Sequence, residues 1–353
     1  MKSDWKIRKL NEIAVINPKE SLPKGSLAKK ICMHKIVPYC RDIPEYEIAF
    51  GSTEYIVFRI SQESDPDYLV TSDLVKGTAI MSMVGSSGRQ RVQTNVIQNL
   101  ELKVPPIAGQ STIRHILSSL DNKISLNRAI NQNLEEQLES LFIHEFANDI
   151  AVASPETCPK LGELITVIDN RGKTPPLTTE TFDYPIIDVG ALKGAGRIID
   201  FNNCTKYVGQ TTYKTWFRSG HPKPWDILIS TVGSLAEMKI YLGSKGCMAQ
   251  NVVALRAISI SPLYLYQYLR FIRADLIAYN IGSVQPSIKV THIVKHPILV
   301  PESSKLNKFE ETARAITNRL YANCIESESL KQLRDTLLPK LMTGEIEVSK
   351  IDI

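Results

Sequence analysis

The stretch Gln110–Phe142, QSTIRHILSSLDNKISLNRAINQNLEEQLESLF, decides the fold. It holds no Gly or Pro, and Ile113, Leu117, Leu120, Ile124, Leu134, Leu138 and Leu141 recur in steps of three and four. That spacing lays one buried stripe along a long helix or coiled coil. Asn127 and Asn131 fill the remaining slots of the stripe. Pro105 and Pro106 cannot carry a helix in from upstream, so it begins after them. At a rise of about 1.5 Å per residue it would run roughly 50 Å.

The pattern returns 196 positions later. Val104, Pro105, Asn122, Asn127, Leu134 and Leu141 meet the same residue types at Val300, Pro301, Asn318, Asn323, Leu330 and Leu337. Ile113, Leu120, Lys123 and Ile124 meet Phe309, Ile316, Arg319 and Leu320. Polar matches inside an apolar stripe mark two copies of one unit, each a globular part followed by a long helix. The helices around 110–142 and 305–338 are expected to pack antiparallel. Leu120, Ile124, Asn127 and Leu134 would form one side of the seam, and Ile316, Leu320, Asn323 and Leu330 the other.

Four segments follow: a first globule at 1–104, a helix at 105–150, a second globule at 151–300, and a second helix with its tail at 301–353. In the first globule, WKIRKLNEIAVI enters as helix or strand and YIVFRI (Tyr55–Ile60) as strand. A turn of small residues follows AIMSMV. ANDIAVASPETCP reads as a linker. In the second globule WDILIST and MAQNVVALRAISI are strands, PLYLYQYLRFIRADLIAY is an amphipathic helix, and NIGSVQPSI is a loop. The class is α+β.

The two globules differ in length. Lys160, Leu161 and Glu163 repeat Lys9, Leu10 and Glu12, and Arg59 and Arg256 each close a strand 26 residues before Gly85 and Gly282. Lys9 lies 50 residues before Arg59, but Lys160 lies 96 before Arg256. The first globule is therefore short by about 46 residues, all before Tyr55, and has nothing to match WDILISTVGS. Its YIVFRI and AIMSMV side chains are expected to lose cover. Proteolysis is expected first between Ser21 and Gly51, with 160–300 resistant.

At 353 residues the chain accommodates two domains, and 43% apolar with 22% charged residues is ordinary for a globular protein. No apolar run is long enough to cross a membrane, and MKSDWKIRKL is too polar for a signal peptide, so a cytoplasmic location without membrane partners is expected. A net charge of +5 permits a polyanionic partner without requiring one. The six cysteines show no CxxC spacing and read as reduced, partly buried thiols.

No GxGxxG, P-loop or HExxH motif occurs. Gly190, Gly194 and Gly196 read as a plain loop, and His292 and His296 lack a third ligand nearby. No catalytic residue, metal or cofactor is expected. Glu135 and Glu136 are expected on the solvated face of their helix. The loops RGKTPP, GALKGAGR, MAQN and GSVQPS instead carry side chains suited to base edges and phosphates. Arg171, Lys173, Thr174, Gln250, Asn251, Ser283 and Gln285 are expected on one face, with Arg89 in the first globule.

VPPIAGQSTIRHILSSLDNKISLNRAINQNLEEQLESLF, LRDTLLPKLMTGEI, WDILISTVGS, AQNVVALR and GSVQPSI together resemble the DNA specificity subunit of type I restriction-modification systems. The resemblance covers both helices and the second globule. The first globule matches at its ends, notably FGSTEYIVFR, and departs in the middle. It implies two target recognition domains, each reading half of a split sequence in double-stranded DNA. It also implies antiparallel spacer helices that bind methyltransferase subunits, an endonuclease subunit that joins them, and no active site in the chain. Pseudo-two-fold symmetry of the chain would mirror the bipartite target.

Two other readings compete. In one, the shortened chain is an interaction protein that binds methyltransferase subunits but has lost specificity. In the other it carries fused methyltransferase chemistry, which would require an NPPF-like motif, and the only Asn-Pro dipeptide stands in NPKE. The 46-residue deficit leads to the expectation that the second half reads DNA and the first adds little base specificity.

Overall fold

The computed structural model describes residues 4–19, 29–31, 49–51, 55–62, 64–70, 72–85, 90–282 and 284–348. Arg89, Ser283 and most of the segment expected to be cut first lie outside the described residues.

The first globule contains β1 (Lys6–Lys9), α1 (Leu10–Ile13), β2 (Ala14–Ile16), β3 (Lys29–Ile31), β4 (Ala49–Gly51) and β5 (Phe58–Ile60). It continues with α2 (Pro66–Val70), α3 (Asp73–Met81), α4 (Thr94–Gln98) and β6 (Glu101–Val104). The long helix α5 spans Ile107–Val152. The second globule holds α6 (Leu161–Leu164), β7 (Ile165–Ile168), β8 (Tyr184–Ile187), α7 (Val189–Leu192), β9 (Tyr207–Val208) and α8 (Gln210–Thr215). Then come β10 (Ile227–Ser230), β11 (Met238–Ile240), β12 (Cys247–Met248), β13 (Val252–Ala257), α9 (Pro262–Phe271), α10 (Arg273–Ala278) and α11 (Val290–Lys295). The second long helix, α12, is Ser303–Met342.

By contacts the chain divides into two units, residues 1–124 with 328–353, and residues 125–327. In both, α5 and α12 run antiparallel. In the first unit Asp121 of α5 binds Arg334 of α12 at 2.7 Å. In the second, Asn127 donates to Glu326 at 2.8 Å, Asn323 to Asn131 at 2.7 Å, and Lys305 to Asp149 at 2.8 Å. Asn127 and Asn323 are each 1% exposed. Buried amides that bond only in one alignment fix register at some cost in stability.

Of the expected seam residues, Ile124 and Leu320 are buried, while Leu120, Leu134, Ile316 and Leu330 are only partly covered. Ala313, Thr317 and Leu338 are buried in the stripe of α12. Glu135 departs from its expected solvated position and is buried. The expected linker also begins late, since α5 continues through Ala147–Val152.

The strand registers reproduce the duplication residue by residue. Val15 faces Arg59, as Thr166 faces Arg256; Lys9 faces Glu101, as Lys160 faces Pro297. The parallel pair Lys30 and Phe50 corresponds to Ile186 and Cys247. A side-chain bond recurs as well: the Tyr68 hydroxyl donates to the Lys103 carbonyl at 3.3 Å, and the Tyr264 hydroxyl to the Leu299 carbonyl at 2.9 Å. Both donors and both acceptors differ by 196 positions.

The difference is equally local. Residues 32–48 join β3 to β4, whereas 188–246 join β8 to β12 and contain β9, α8, β10 and β11. In the second unit β10 is the centre of a four-stranded sheet ordered β11-β10-β13-β7, its Ile227, Leu228 and Ile229 wholly buried. Its continuous apolar run reads as a strand covered on both faces. Among the described residues of the first unit, the corresponding sheet is β2 with β5 alone. Only Phe58–Ile60 of the expected strand Tyr55–Ile60 is strand, and Ala79–Met81 of AIMSMV is helix. Val57, Ile80, Met81, Met83 and Val84 are exposed, Met81 at 82%.

The core of the second unit joins its sheet to α9 and both long helices. Phe142 and Phe146 of α5 meet Phe309 of α12 with ring centroids at 5.9 and 5.3 Å, and Phe146 lies 5.1 Å from Tyr264 of α9. Such aromatic edges contribute about 0.5–1.5 kcal/mol per pair beyond area burial. The first unit gathers Leu10, Ile13, Ile97, Leu102 and Val104 against Ile113 and Leu117 of α5 and Leu338 and Leu341 of α12.

Candidate nucleic-acid interface

Two loops of the second globule are bonded to Thr231, the fully buried residue that follows β10, and a third joins them through Gln250. Its N–H donates to the Asn251 carbonyl at 2.9 Å, and its own carbonyl accepts from the Ile288 N–H at 2.8 Å. One residue of ISTVGS thereby holds both the loop between β12 and β13 and the loop 280–288. The second loop closes on Asn280, whose Oδ1 accepts from the N–H groups of Gly282 at 3.0 Å and Ser287 at 2.9 Å. A Cβ on Gly282 would collide with the Gln285 carbonyl, so only glycine fits this turn. The third loop, 169–175, follows β7; Gln250 reaches it, its Nε2 donating to Thr174 Oγ1 at 3.1 Å.

Between these loops lies an open cavity of about 490 Å³, lined by Thr174, Asp188, Lys206, Gln250, Asn251 and Gln285 among others. Four expected residues, Thr174, Gln250, Asn251 and Gln285, therefore share one cleft. Lys173 is exposed in the same loop, between two lining residues. Arg171 is differently placed. Its guanidinium binds both oxygens of Asp169, the shortest contact 2.6 Å. Burial pushes the Asp169 carboxyl up, but the hydrogen bonds and charge of Arg171 outweigh it and hold the group below its ordinary value.

Amide side chains offer a donor and an acceptor on one plane, the complement of adenine N6 and N7. Asp188 and Lys206 were not anticipated. Asp188 is fixed by accepting the Gly190 N–H at 2.8 Å at the start of α7, and a carboxylate accepts from cytosine N4. Val284, beside Gln285, is 98% exposed, an apolar contact suited to a thymine methyl. Asp188 lay in a segment whose capping character gave no signal of recognition, and Val284 was passed over in GSVQPS because it is apolar.

GALKGAGR does not face this cleft as a free polar loop. The Lys239 ammonium donates to the Gly194 carbonyl at 2.9 Å and also to that of Gly196, and Arg270 Nη1 donates to Ala195 at 2.8 Å. Burial brings the Lys239 ammonium down to about 8, although Glu135 opposes that shift. Arg197 is 0% exposed. It binds Glu135 of α5 at 2.9 Å, donates to Thr317 of α12 at 3.1 Å and to Gln267 of α9 at 3.4 Å, and lies 5.3 Å from the ring centre of Tyr266. Glu135 is buried because it answers this arginine, which its helical periodicity could not reveal. Among the described residues no group of three or more His, Cys, Asp or Glu could hold a metal ion, and no helix is long and apolar enough to cross a membrane.

The family described as Type I restriction modification DNA specificity domain matches residues 43–136 and 158–321. The chain is 22% identical over 317 residues to the Type I restriction enzyme MjaIX specificity subunit of Methanocaldococcus jannaschii, covering 85% of this chain and 70% of that protein. It is also 22% identical over 327 residues to the Type I restriction enzyme HindI specificity subunit of Haemophilus influenzae, covering 71% of this chain and 70% of that one. Its fold resembles the crystal structure of a type I restriction-modification S subunit from M. genitalium, with a TM-score of 0.56 at 16% identity over 96% of each chain. With the family matched on most of its length, the chain belongs to the type I restriction modification DNA specificity family, and its function is that of a DNA specificity subunit in such a system.

Proposed function

We propose that the cleft of the second globule reads base edges of double-stranded DNA, and that the first globule adds little base specificity. The carrying observation is the convergence of Thr174, Gln250, Asn251 and Gln285 on one cavity inside the matched segment 158–321. The paired helices α5 and α12 serve as the platform for methyltransferase subunits, and a restriction endonuclease subunit joins that assembly. The chain itself contributes positioning and recognition, and chemistry on DNA belongs to its partners. The target is bipartite in principle, its halves separated by the reach of the helices.

Methylome sequencing of a host carrying the gene tests this reading. With the wild-type chain, the modified sites should share one strongly specified half. Gln250→Ala with Gln285→Ala should relax positions within that half. Two equally specified halves, or a motif unchanged by both substitutions, would overturn the assignment.

A further inference from the structure

The segment 201–225 carries Lys206, Lys214, Arg218 and Lys223 and no Asp or Glu. It belongs to the stretch 188–246 that has no equivalent length in the first globule. The fold brings one of its cations into the cleft and sets another next to residues bonded to a loop that lines it. Lys206 lines the cavity itself. The two residues after Arg218 are tied to the start of the 169–175 loop by three bonds. Asn170 Nδ2 donates to the Gly220 carbonyl at 2.7 Å, the Ser219 N–H donates to Asn170 Oδ1 at 2.9 Å, and Ser219 Oγ donates to the Asp169 carbonyl at 2.6 Å. Lys206 and Arg218 are both exposed, and among the described residues neither has a carboxylate within ion-pair distance. Arg171 contrasts with them, since Asp169 already neutralises it.

We propose that Lys206 and Arg218 form a phosphate-gripping rim around the amide-lined floor of the cleft. This rests on the reading of that cleft as a DNA interface and divides the labour within it. Amides on the floor discriminate among bases, while exposed cations at the rim hold the sugar-phosphate backbone of any duplex. Neutralising phosphates releases condensed counterions, so rim contacts make binding salt-dependent and floor contacts do not.

The test uses the full chain, purified with the proteins it carries, and fluorescence anisotropy on a mixed-sequence 30-base-pair duplex across a potassium chloride series; the duplex length is about that of a bipartite site. Selection from a random duplex pool, read by sequencing, reports preference in parallel. Lys206→Ala with Arg218→Ala should make the plot of log affinity against log salt shallower by about 2, with the selected sequence unchanged. An unchanged slope, or a preference altered at one base position, would overturn the rim. Gln250→Ala with Gln285→Ala should do the reverse, altering preference at constant slope. If those amide substitutions leave preference intact while the rim variant still lowers the slope, the base-reading assignment fails and the rim stands. Absence of any duplex binding by the wild-type assembly would overturn both.

Discussion

The two globules share one frame and differ in what it carries. Strand register, the α1 and α6 turns, and the Tyr68 and Tyr264 hydroxyl bonds coincide after a displacement of 151 positions before the missing length and 196 or 197 after it. Yet the second globule builds β10 and β11 where only residues 32–48 are available in the first. The frame is thus maintained by packing against the long helices, and the added sheet supplies the residue, Thr231, on which two cleft loops hang. A globule can keep its attachment while lacking the length for β10 and β11.

The attachments also differ in kind. In the second unit an arginine from the globule, Arg197, enters a buried slot made by Glu135 and Thr317. At the matching place in the first unit Asp121 stands where Thr317 would, and it is met by Arg334 from α12. The sharpest way to break this comparison is Arg197→Met, which leaves the buried Glu135 with only the longer contact to Arg270 at 3.9 Å. Chemical denaturation should show a loss of about 3–5 kcal/mol for the second unit, with Glu135→Leu restoring much of it in the double variant. A loss below about 1 kcal/mol would mean that solvent reaches the slot.

A smaller effect should follow at the cleft. Gln250→Ala removes one planar donor-acceptor pair, and binding to the preferred duplex should weaken by about 1–3 kcal/mol while one base position loses its preference. Uniform weakening across all duplexes would place Gln250 among backbone contacts instead.

Two thiols sharpen the contrast through pH. Burial, helped by Asp188 and Asp200, pushes Cys204 up to about 12, and burial with the neighbouring Cys204 does the same for Cys247. Both folded values lie above the unfolded one, so their contribution to stability is intact below pH 9.0 and is lost as pH rises toward about 12. At pH 8 native protein should leave peptides with these cysteines unalkylated, and mass spectrometry should find them labelled only after denaturation. Labelling under native conditions would show that the second unit opens.

The smallest change belongs to the first globule. Met81→Gln replaces a side chain already 82% exposed, so stability should stay within about 0.5 kcal/mol. A larger loss, read by denaturation, would show that Met81 is covered in solution.

Much of this was legible in the sequence because it rests on spacing. The seam slots of Ile124, Asn127, Leu320 and Asn323, the repeat, and the missing length before Tyr55 all follow from periodicity and counting. Four cleft residues were legible as amides and hydroxyls in loops, since turns leave such groups available. What spacing could not report was pairing between distant residues. Glu135 reads as surface until Arg197 is beside it, Arg171 as free until Asp169 folds back on it, and GALKGAGR as an open loop until Lys239 and Arg270 take its carbonyls. The helix that ends in AIM was also not legible, because Ser72 caps a segment that apolar content alone does not distinguish from strand.

The repeated registers make the molecule its own template for transplantation. Replacing 32–48 by a copy of 188–246 would join the graft at β3 and β4, which already pair as β8 and β12 do. The incoming strand would find β5 in the alignment that β13 offers β10. The arginine, however, would arrive at a changed socket: 196 positions on from Glu135 stands Lys331, and 196 before Thr317 stands Asp121. A cation would face a cation with one carboxylate already engaged by Arg334. A second copy of the β10–β11 sheet on this chain therefore requires more than the missing length. It needs Lys331 exchanged for a glutamate, so that the graft finds a counter-charge waiting on α12.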